Sequence, residues 1–294
     1  MELQGQLSAL ADSGLGVAAI SYDSQDVLSK FAALRDITFP LLSDSDSATI
    51  KAFGILNTVA EEGLGPNRED PAIVADVEKY VSVFGARQQI LGTPFPGTYI
   101  VDRQGRVTSR FVEEFFRERN TAASIMLRLG TGTNPVAGSQ GDTAHLHVTA
   151  SQTNPEVSVG SRFSIVLDIE PKTDIHVYAP GADAMGYRVV TLTLADTPFV
   201  RFAPIQYPAS DIYHFEPLDE RVPVYQQPFR LSQEVVIGAS AEAQEAFADV
   251  DIITLSGRLD YQACNDTLCF DPVSVPLTWT LALTPLDRQR VVPR

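Results

Sequence analysis

The chain contains only two cysteines, Cys264 and Cys269, and four residues separate them. Two thiols this close can exchange a disulfide with a partner, because one sulfur takes the attack of a thiolate while the other leaves or resolves the mixed disulfide. Closing so short a loop stabilises the fold by only about 2 kcal/mol, so stability alone is a weak reason for the pair. The spacing therefore favours redox chemistry.

Other interpretations of the pair are a structural disulfide, two buried thiols, or a zinc site. Zinc is the weakest of these, because the two cysteines have no histidine ligands nearby in sequence and the four histidines are scattered. No phosphate-binding loop, serine-histidine triad or nucleotide fingerprint occurs in the chain. We therefore expect no metal and no other cofactor.

The composition is that of an ordinary globular protein, with 44% hydrophobic and 20% charged residues. The 37 acidic residues outnumber the 22 basic ones and give a formal charge of -15, which repels phosphate backbones and anionic lipids. No stretch approaches the roughly 20 apolar residues of a membrane span. Met1 is followed by Glu2 and not by the basic and apolar regions of an export signal. We expect no nucleic-acid partner and no membrane insertion.

A length of 294 residues exceeds one typical core and predicts two domains. The first half alternates helical and strand patterns. Residues 17–22 form a short apolar strand pattern, and a helix with an apolar stripe follows the candidate N-cap Ser24. Residues 98–102 and 107–111 read as a hairpin, and a last helix is expected near 120–129. This order predicts an α/β domain over residues 1–130.

Residues 131–143 lose all apolar periodicity and gather turn-forming residues, which is typical of a linker. Beyond them the pattern changes to about eight short strands separated by Pro, Gly and Asp turns. These strands are expected at 145–151, 162–169, 175–178, 189–194, 200–203, 229–237, 252–259 and 275–283. They predict an all-β, immunoglobulin-like sandwich over residues 144–285, with a tail at 286–294.

The segment Thr-Pro-Phe-Pro-Gly-Thr-Tyr-Ile-Val-Asp at 93–102 resembles the entry to the third core strand of redoxins, which include peroxiredoxins of the AhpC/TSA type and thioredoxin-like reductases. The resemblance extends over residues 2–129 in element order. It implies a thioredoxin-like fold, and it makes Pro96 the candidate for the cis-proline that lies against the active-site sulfur. The alternative is that Pro94 and Pro96 simply punctuate a loop.

Redoxins carry their reactive cysteine just before the first helix, and this chain begins inside that helix. A thiolate needs that helix N-terminus for stabilisation. The resemblance therefore implies an N-terminally truncated redoxin domain, with an expected further strand and a reactive cysteine or selenocysteine encoded upstream of Met1. Without that residue the domain is a degenerate scaffold.

The segment Leu-Asp-Tyr-Gln-Ala-Cys-Asn-Asp-Thr-Leu-Cys-Phe-Asp-Pro at 259–272 resembles the amino-terminal domain of the DsbD thiol:disulfide interchange protein and the related "disulfide bond corrector" domains. Relatives carry Pro where Asp271 stands. The resemblance covers residues 141–283. It implies that Cys264 and Cys269 are the catalytic pair and exchange electrons with thioredoxin-like partners.

That family also shields its cysteines with aromatic side chains and a cap loop. Residues 175–180 resemble the aromatic strand beside the pair, which places His176 and Tyr178 there, and residues 213–224 occupy the position of the cap, with Phe215 among them. Tyr261, just before Cys264, is expected as a neighbour on the same strand face. The simpler interpretation of Tyr178 and Phe215 is that they are ordinary core aromatics.

These features predict a thiol:disulfide oxidoreductase that relays electrons to a thioredoxin-like partner or to its own redoxin domain. One alternative is a noncatalytic partner-binding protein with a degenerate redoxin domain. Another is a peroxidase whose reactive residue lies upstream of Met1. The resemblance implies a bacterial, periplasmic or otherwise extracytoplasmic location, and a cytoplasmic location is the alternative because no export signal is visible.

Overall fold

The computed structural model describes residues 2–84, 92–113, 117–130, 136–216 and 219–287. It confirms the expected fold class, with a mixed α/β N-terminal region and a strand-rich C-terminal sandwich. Within these residues no helix is long and apolar enough to cross a membrane.

The N-terminal region consists of short helices and two small pairs of strands. Its elements are α1 (Glu2–Gly5), α2 (Leu7–Asp12), β1 (Ala19–Ser21), α3 (Gln25–Leu34), β2 (Leu41–Ser43), α4 (Ala48–Ala52), α5 (Thr58–Gly63), α6 (Pro71–Phe84), β3 (Gly97–Val101), β4 (Val107–Val112), β5 (Arg119–Asn120) and α7 (Ala122–Arg128). The parallel pair is β1–β2, and β3–β4 is the predicted antiparallel hairpin. Helix α3 begins where predicted, because the Ser24 side chain accepts a hydrogen bond from the backbone N–H of Val27.

The C-terminal region contains thirteen strands among the described residues. They are β6 (Val136–Asp142), β7 (Leu146–Gln152), β8 (Glu156–Ser158), β9 (Ser161–Pro171), β10 (His176–Tyr178), β11 (Thr191–Leu194), β12 (Val200–Phe202), β13 (Asp211–Phe215), β14 (Glu220–Tyr225), β15 (Phe229–Ile237), β16 (Ile252–Tyr261), β17 (Ala263–Cys264) and β18 (Val273–Thr284), with helix α8 (Ala241–Ala246) between β15 and β16. All eight predicted strands occur, with small shifts at their ends.

Three sheets build the sandwich. One has the order β12-β15-β9-β7-β6, and β5 also pairs with β9; a second has the order β11-β16-β18-β8. A third small sheet, β13-β14-β10-β17, carries the first cysteine. Burial alternates along β18 because successive side chains point to opposite faces of the sheet. Trp279 is fully buried in the core, where its Nε1 donates to the carbonyl of Ser151 at 3.0 Å.

Part of the segment expected as a linker is a strand. β6 pairs with β7 in the large sheet. Its glycines serve close packing: a Cβ at Gly141 would lie 2.7 Å from Cγ1 of Val275, and one at Gly138 would lie 3.1 Å from the carbonyl oxygen of Ala150. Glycine-rich composition here reflects the close approach of backbones as well as turn formation.

A cluster of ion pairs joins the two regions, and we call it the ionic clasp. It comprises Arg162, Arg201 and Glu234 of the sandwich and Glu113 and Glu118 of the N-terminal region. Arg162 lies 2.7 Å from Glu113 and 2.6 Å from Glu234, and Arg201 lies 2.6 Å from Glu118. Both glutamates of the N-terminal region are buried. Burial, the largest cause, raises the pKa of Glu113, whereas the charge of Arg162 lowers it.

The ionic clasp and the cysteines lie at opposite ends of β9. Arg162 is near the start of that strand, and Pro171 at its end pairs with Leu146. His145, the residue before Leu146, packs its ring 4.4 Å from that of Phe270, which follows Cys269. Because a strand rises about 3.3 Å per residue, roughly 30 Å separates the clasp from the cysteine end of the sandwich.

Candidate functional site

Cys264 and Cys269 form a disulfide at the end of β17. β17 lies antiparallel to β10, with Cys264 opposite His176. The chain then turns back so that Cys269 faces Cys264 across an isolated antiparallel bridge. The backbone N–H of Phe270 donates to the carbonyl of Ala263 at 2.8 Å and closes this narrow hairpin.

Hydrogen bonds among neighbouring residues hold the turn between the two cysteines. The side-chain oxygen of Asn265 accepts hydrogen bonds from the backbone N–H groups of Thr267 and Leu268, at 2.9 Å and 2.8 Å. The backbone N–H of Asn265 also donates to the carbonyl of Leu268 at 2.9 Å. Asparagine is favoured in tight turns because its side chain replaces a backbone partner in this way. The four intervening residues thus bring the two sulfurs together.

The two cysteines differ in exposure. Cys264 is 1% exposed, whereas Cys269 is among the exposed residues. Leu268, beside Cys269, is 57% exposed and presents an apolar side chain next to the accessible sulfur. Cys269 is therefore the solvent-accessible end of the disulfide, and Cys264 is its buried end.

Tyr178 contacts both sulfurs. Its Oη lies 3.1 Å from Sγ of Cys264 and 3.3 Å from Sγ of Cys269. The ring of Tyr187 stacks on Tyr178 with centroids 4.3 Å apart, and its hydroxyl donates to Glu220 at 2.5 Å. That hydrogen bond, the largest cause, raises the pKa of Tyr187 to about 12. Burial and then the charge of Glu220 raise the pKa of Tyr178, so its hydroxyl is kept protonated as a donor.

His176 and Tyr213 form the other side of the site. His176 is 4% exposed, and its ring packs 4.6 Å from that of Tyr213, between centroids. The Tyr213 hydroxyl donates to Oδ1 of Asp266, inside the disulfide loop, at 2.8 Å. Burial lowers the pKa of His176, and the charge of Asp266 opposes that shift. The contact ties the β13–β14 hairpin to the disulfide loop, and we call it the Tyr213–Asp266 latch.

Within the described part of the segment expected as a cap, residues 213–224, only the first residue makes a hydrogen bond to the disulfide loop. Residues 211–215 and 220–225 form the β13–β14 hairpin, in the sheet that carries Cys264. Tyr213 reaches the disulfide loop, whereas Phe215 lies at the end of β13, opposite Glu220. Pro217 and Leu218, in the middle of the expected cap, lie outside the described residues.

Tyr261, expected as a neighbour of Cys264, belongs to a different cluster of buried side chains. It is fully buried in the main core of the sandwich, and its Oη lies 2.8 Å from Oγ1 of Thr143. Cys264 belongs to a separate apolar cluster with Tyr178. Tyr261 is the last residue of β16 and Cys264 the last residue of β17, so the two residues lie on different strands although they are close in sequence.

The prediction that Pro96 is a cis-proline is wrong, because the described residues contain no cis peptide bond. An X–Pro bond favours trans unless its surroundings select cis. Pro96 still lies directly before β3, where its carbonyl accepts the backbone N–H of Glu113 at 2.8 Å. It therefore acts in the structure as a loop residue before a strand.

Sequence reasoning missed two members of the site. Tyr187 carries no motif or spacing that points to the cysteines, and Glu220 lies within the expected cap segment 213–224 but was not singled out there. Asp266, within the disulfide loop, accepts a hydrogen bond from Tyr213. Among the residues that the structure describes, no group of three or more His, Cys, Asp and Glu side chains is arranged to hold a metal ion.

Comparisons with known proteins match the two regions separately. Residues 1–110 match the AhpC/TSA family, and residues 144–277 match the family described as "Thiol:disulfide interchange protein DsbD, N-terminal". No curated protein matches the chain.

Similar solved structures include the N-terminal periplasmic domain of ScsB from Proteus mirabilis, with 14% identity and a TM-score of 0.35, covering 49% of this chain and 51% of that one. This chain thus spans about half the length of that structure. Another is the reduced N-terminal domain of DsbD from Neisseria meningitidis, with 11% identity and a TM-score of 0.27, covering 40% and 81%. The two matches thus fall on different parts of the chain, with residues 1–110 similar to the AhpC/TSA family and residues 144–277 similar to the N-terminal domain of DsbD, as the sequence resemblances implied.

Proposed function

We propose that the protein exchanges electrons with a partner protein through the Cys264–Cys269 disulfide. The observation that carries this proposal is the asymmetry of the bonded pair, with Cys264 buried, Cys269 exposed and the Tyr178 hydroxyl on both sulfurs. A structural disulfide needs no such exposed sulfur beside a hydroxyl donor.

The exchange proceeds in two displacements. A partner thiolate attacks Sγ of Cys269, the Cys264–Cys269 bond breaks, and Cys264 leaves as a thiolate that accepts a hydrogen bond from Tyr178 and takes up a proton. A second thiolate of the partner then attacks the mixed disulfide and releases Cys269 as a thiolate, which is protonated in turn. The partner loses two electrons, and the cysteine pair gains two electrons and two protons.

The partner in this proposal is a thioredoxin-like protein that acts as a separate molecule. The chain's own redoxin region is anchored by the ionic clasp, roughly 30 Å from the cysteine end of the sandwich. This separation favours a partner in trans over the expected intramolecular relay. Within the chain, the redoxin region then serves as a scaffold or a second binding surface.

An extracytoplasmic location accords with this function, because disulfides form and persist in oxidising compartments. The match to the DsbD N-terminal family supports it.

Redox titration with trapping tests the proposal. Equilibration against a series of dithiothreitol or glutathione potentials should give a two-electron transition. Incubated with an oxidised thioredoxin-like protein, Cys264→Ser should form a mixed disulfide as the Cys269 thiolate attacks the partner's disulfide and displaces one of its thiolates. Cys269→Ser, whose remaining sulfur is buried, should form the mixed disulfide much more slowly. The proposal is contradicted if the redox state of the cysteine pair does not change with the applied potential, or if both variants form the mixed disulfide at equal rates.

A further inference from the structure

A groove of about 600 Å³ lies on the sandwich near the end of β16 and the start of β18, and it has no role in the exchange described above. Its walls come from the segment before β11 and from the paired strands β16 and β18. Arg188 and Arg258 line it, together with Asp260. Its size is within the range of small-molecule sites.

The charge of the groove is opposite in sign to that of the protein. Two guanidinium groups face one carboxylate, whereas the whole chain carries -15. Asp260 uses Oδ2 to bind Nε of Arg258 at 2.8 Å, and its other oxygen accepts from Ser274. This leaves the terminal nitrogens of Arg258, and all of Arg188, without a partner among the described residues. A guanidinium group with free N–H donors can bind a carboxylate through two parallel hydrogen bonds.

Two of the residues that line the groove are connected closely to the disulfide site. Pro272, one of its lining residues, follows Cys269 by three positions, so their Cα atoms lie at most about 11 Å apart. On the other wall, Val189 forms a backbone bridge with Tyr178, whose hydroxyl contacts both sulfurs. Val189 and Pro272 add apolar surface for the body of a ligand.

We infer that this groove binds the carboxylate of a peptide-like thiol whose sulfur attacks Cys269. The inference rests on the proposed function for its redox step, but carboxylate binding is independent of it. With glutathione as the thiol, the first thiolate forms a mixed disulfide with Cys269 and releases Cys264 as a thiolate. The second attacks the glutathione sulfur of that mixed disulfide, releasing Cys269 and leaving oxidised glutathione; each cysteine takes up one proton.

The first experiment measures binding without chemistry. S-methylglutathione carries the same carboxylates but no free thiol, and it is titrated into the ¹⁵N-labelled full chain. Backbone signals of Val189, Thr191 and Val273 should shift with saturation in the millimolar range. The shifts should be lost in the double variant Arg188→Gln/Arg258→Gln and kept in Arg110→Gln, an exposed arginine of the N-terminal region. Absent or unsaturable shifts, or shifts retained in the double variant, overturn the inference.

The second experiment compares rates of disulfide reduction by glutathione and by uncharged 2-mercaptoethanol at equal thiolate concentration. Each arginine substitution should lower the glutathione rate about threefold, as expected for one exposed ionic contact, and leave the 2-mercaptoethanol rate unchanged. Equal effects on both thiols overturn the inference. If no thiol reduces the disulfide, the proposed function fails, while the S-methylglutathione titration still decides whether the groove binds carboxylates.

Discussion

The Oη atom of Tyr178 lies 3.1 Å from Sγ of Cys264, the buried sulfur of the disulfide. When the bond is reduced, we expect this hydroxyl to donate a hydrogen bond to the thiolate that forms on Cys264. Its own proton is retained because burial and Glu220 raise its pKa. The contact is therefore expected to stabilise the leaving thiolate in a site whose other nearby charges are negative.

Replacing Tyr178 with Phe should raise the pKa of the Cys264 thiol by about one unit, because a hydrogen bond to a charged group is worth about 1.5 kcal/mol or more. The pH dependence of alkylation in reduced Cys269→Ser protein measures this pKa. Tyr225→Phe is a matched control, since its hydroxyl donates to the carbonyl of Pro208. An unchanged alkylation profile in Tyr178→Phe would show that the hydroxyl does not stabilise the thiolate.

Breaking the Tyr213–Asp266 latch should speed reduction of the disulfide by freeing the loop that carries Cys269. In Tyr213→Phe the β13–β14 hairpin loses its hydrogen bond to the disulfide loop. We expect reduction by dithiothreitol to be about threefold faster, which corresponds to roughly 0.7 kcal/mol for one partly exposed hydrogen bond. Tyr99→Phe, which removes a hydroxyl bound to Phe53 in the N-terminal region, serves as the control. Equal rates in the two variants would mean that the latch does not restrain the disulfide loop.

His176 should titrate below its usual value of 6.5. A lowered pKa means that the folded state holds neutral His176, so its contribution to stability is present above pH 6.5 and is lost as the pH falls through the folded pKa. NMR titration of the imidazole protons measures the midpoint directly. Asp266→Asn should lower the midpoint further, because it removes the charge that opposes desolvation. A midpoint above 6.5 for His176 would contradict the packing described for this side.

Removing the central arginine of the ionic clasp should destabilise the protein. Arg162→Met leaves buried Glu113 without its nearest cation, and we expect a loss of about 2–4 kcal/mol in the free energy of unfolding. Fluorescence of Trp279, the only tryptophan, follows urea unfolding of the sandwich. Arg230→Met breaks an exposed pair with Asp168 and should cost about 1 kcal/mol or less. Equal losses of unfolding free energy in Arg162→Met and Arg230→Met would show that the ionic clasp stabilises the protein no more than an exposed ion pair does.

The sequence alone predicted those parts of the site that depend on neighbouring residues. The four-residue spacing of Cys264 and Cys269 predicted a redox pair, and runs of apolar residues between turn-forming residues located strands such as β9 and β18. It also separated an α/β region from a sandwich, because the two kinds of periodicity occupy different halves of the chain.

Only the tertiary structure decided which side chains surround the sulfurs. Tyr178 and Cys264 are 86 positions apart and meet through the pairing of β10 with β17, whereas Tyr261, three positions from Cys264, lies in the other cluster. Strand register and the path between strands set such contacts, and neither is visible in local composition. For the same reason, glycines that read as a linker form β6, and the redoxin region lies at the end of the sandwich opposite the disulfide.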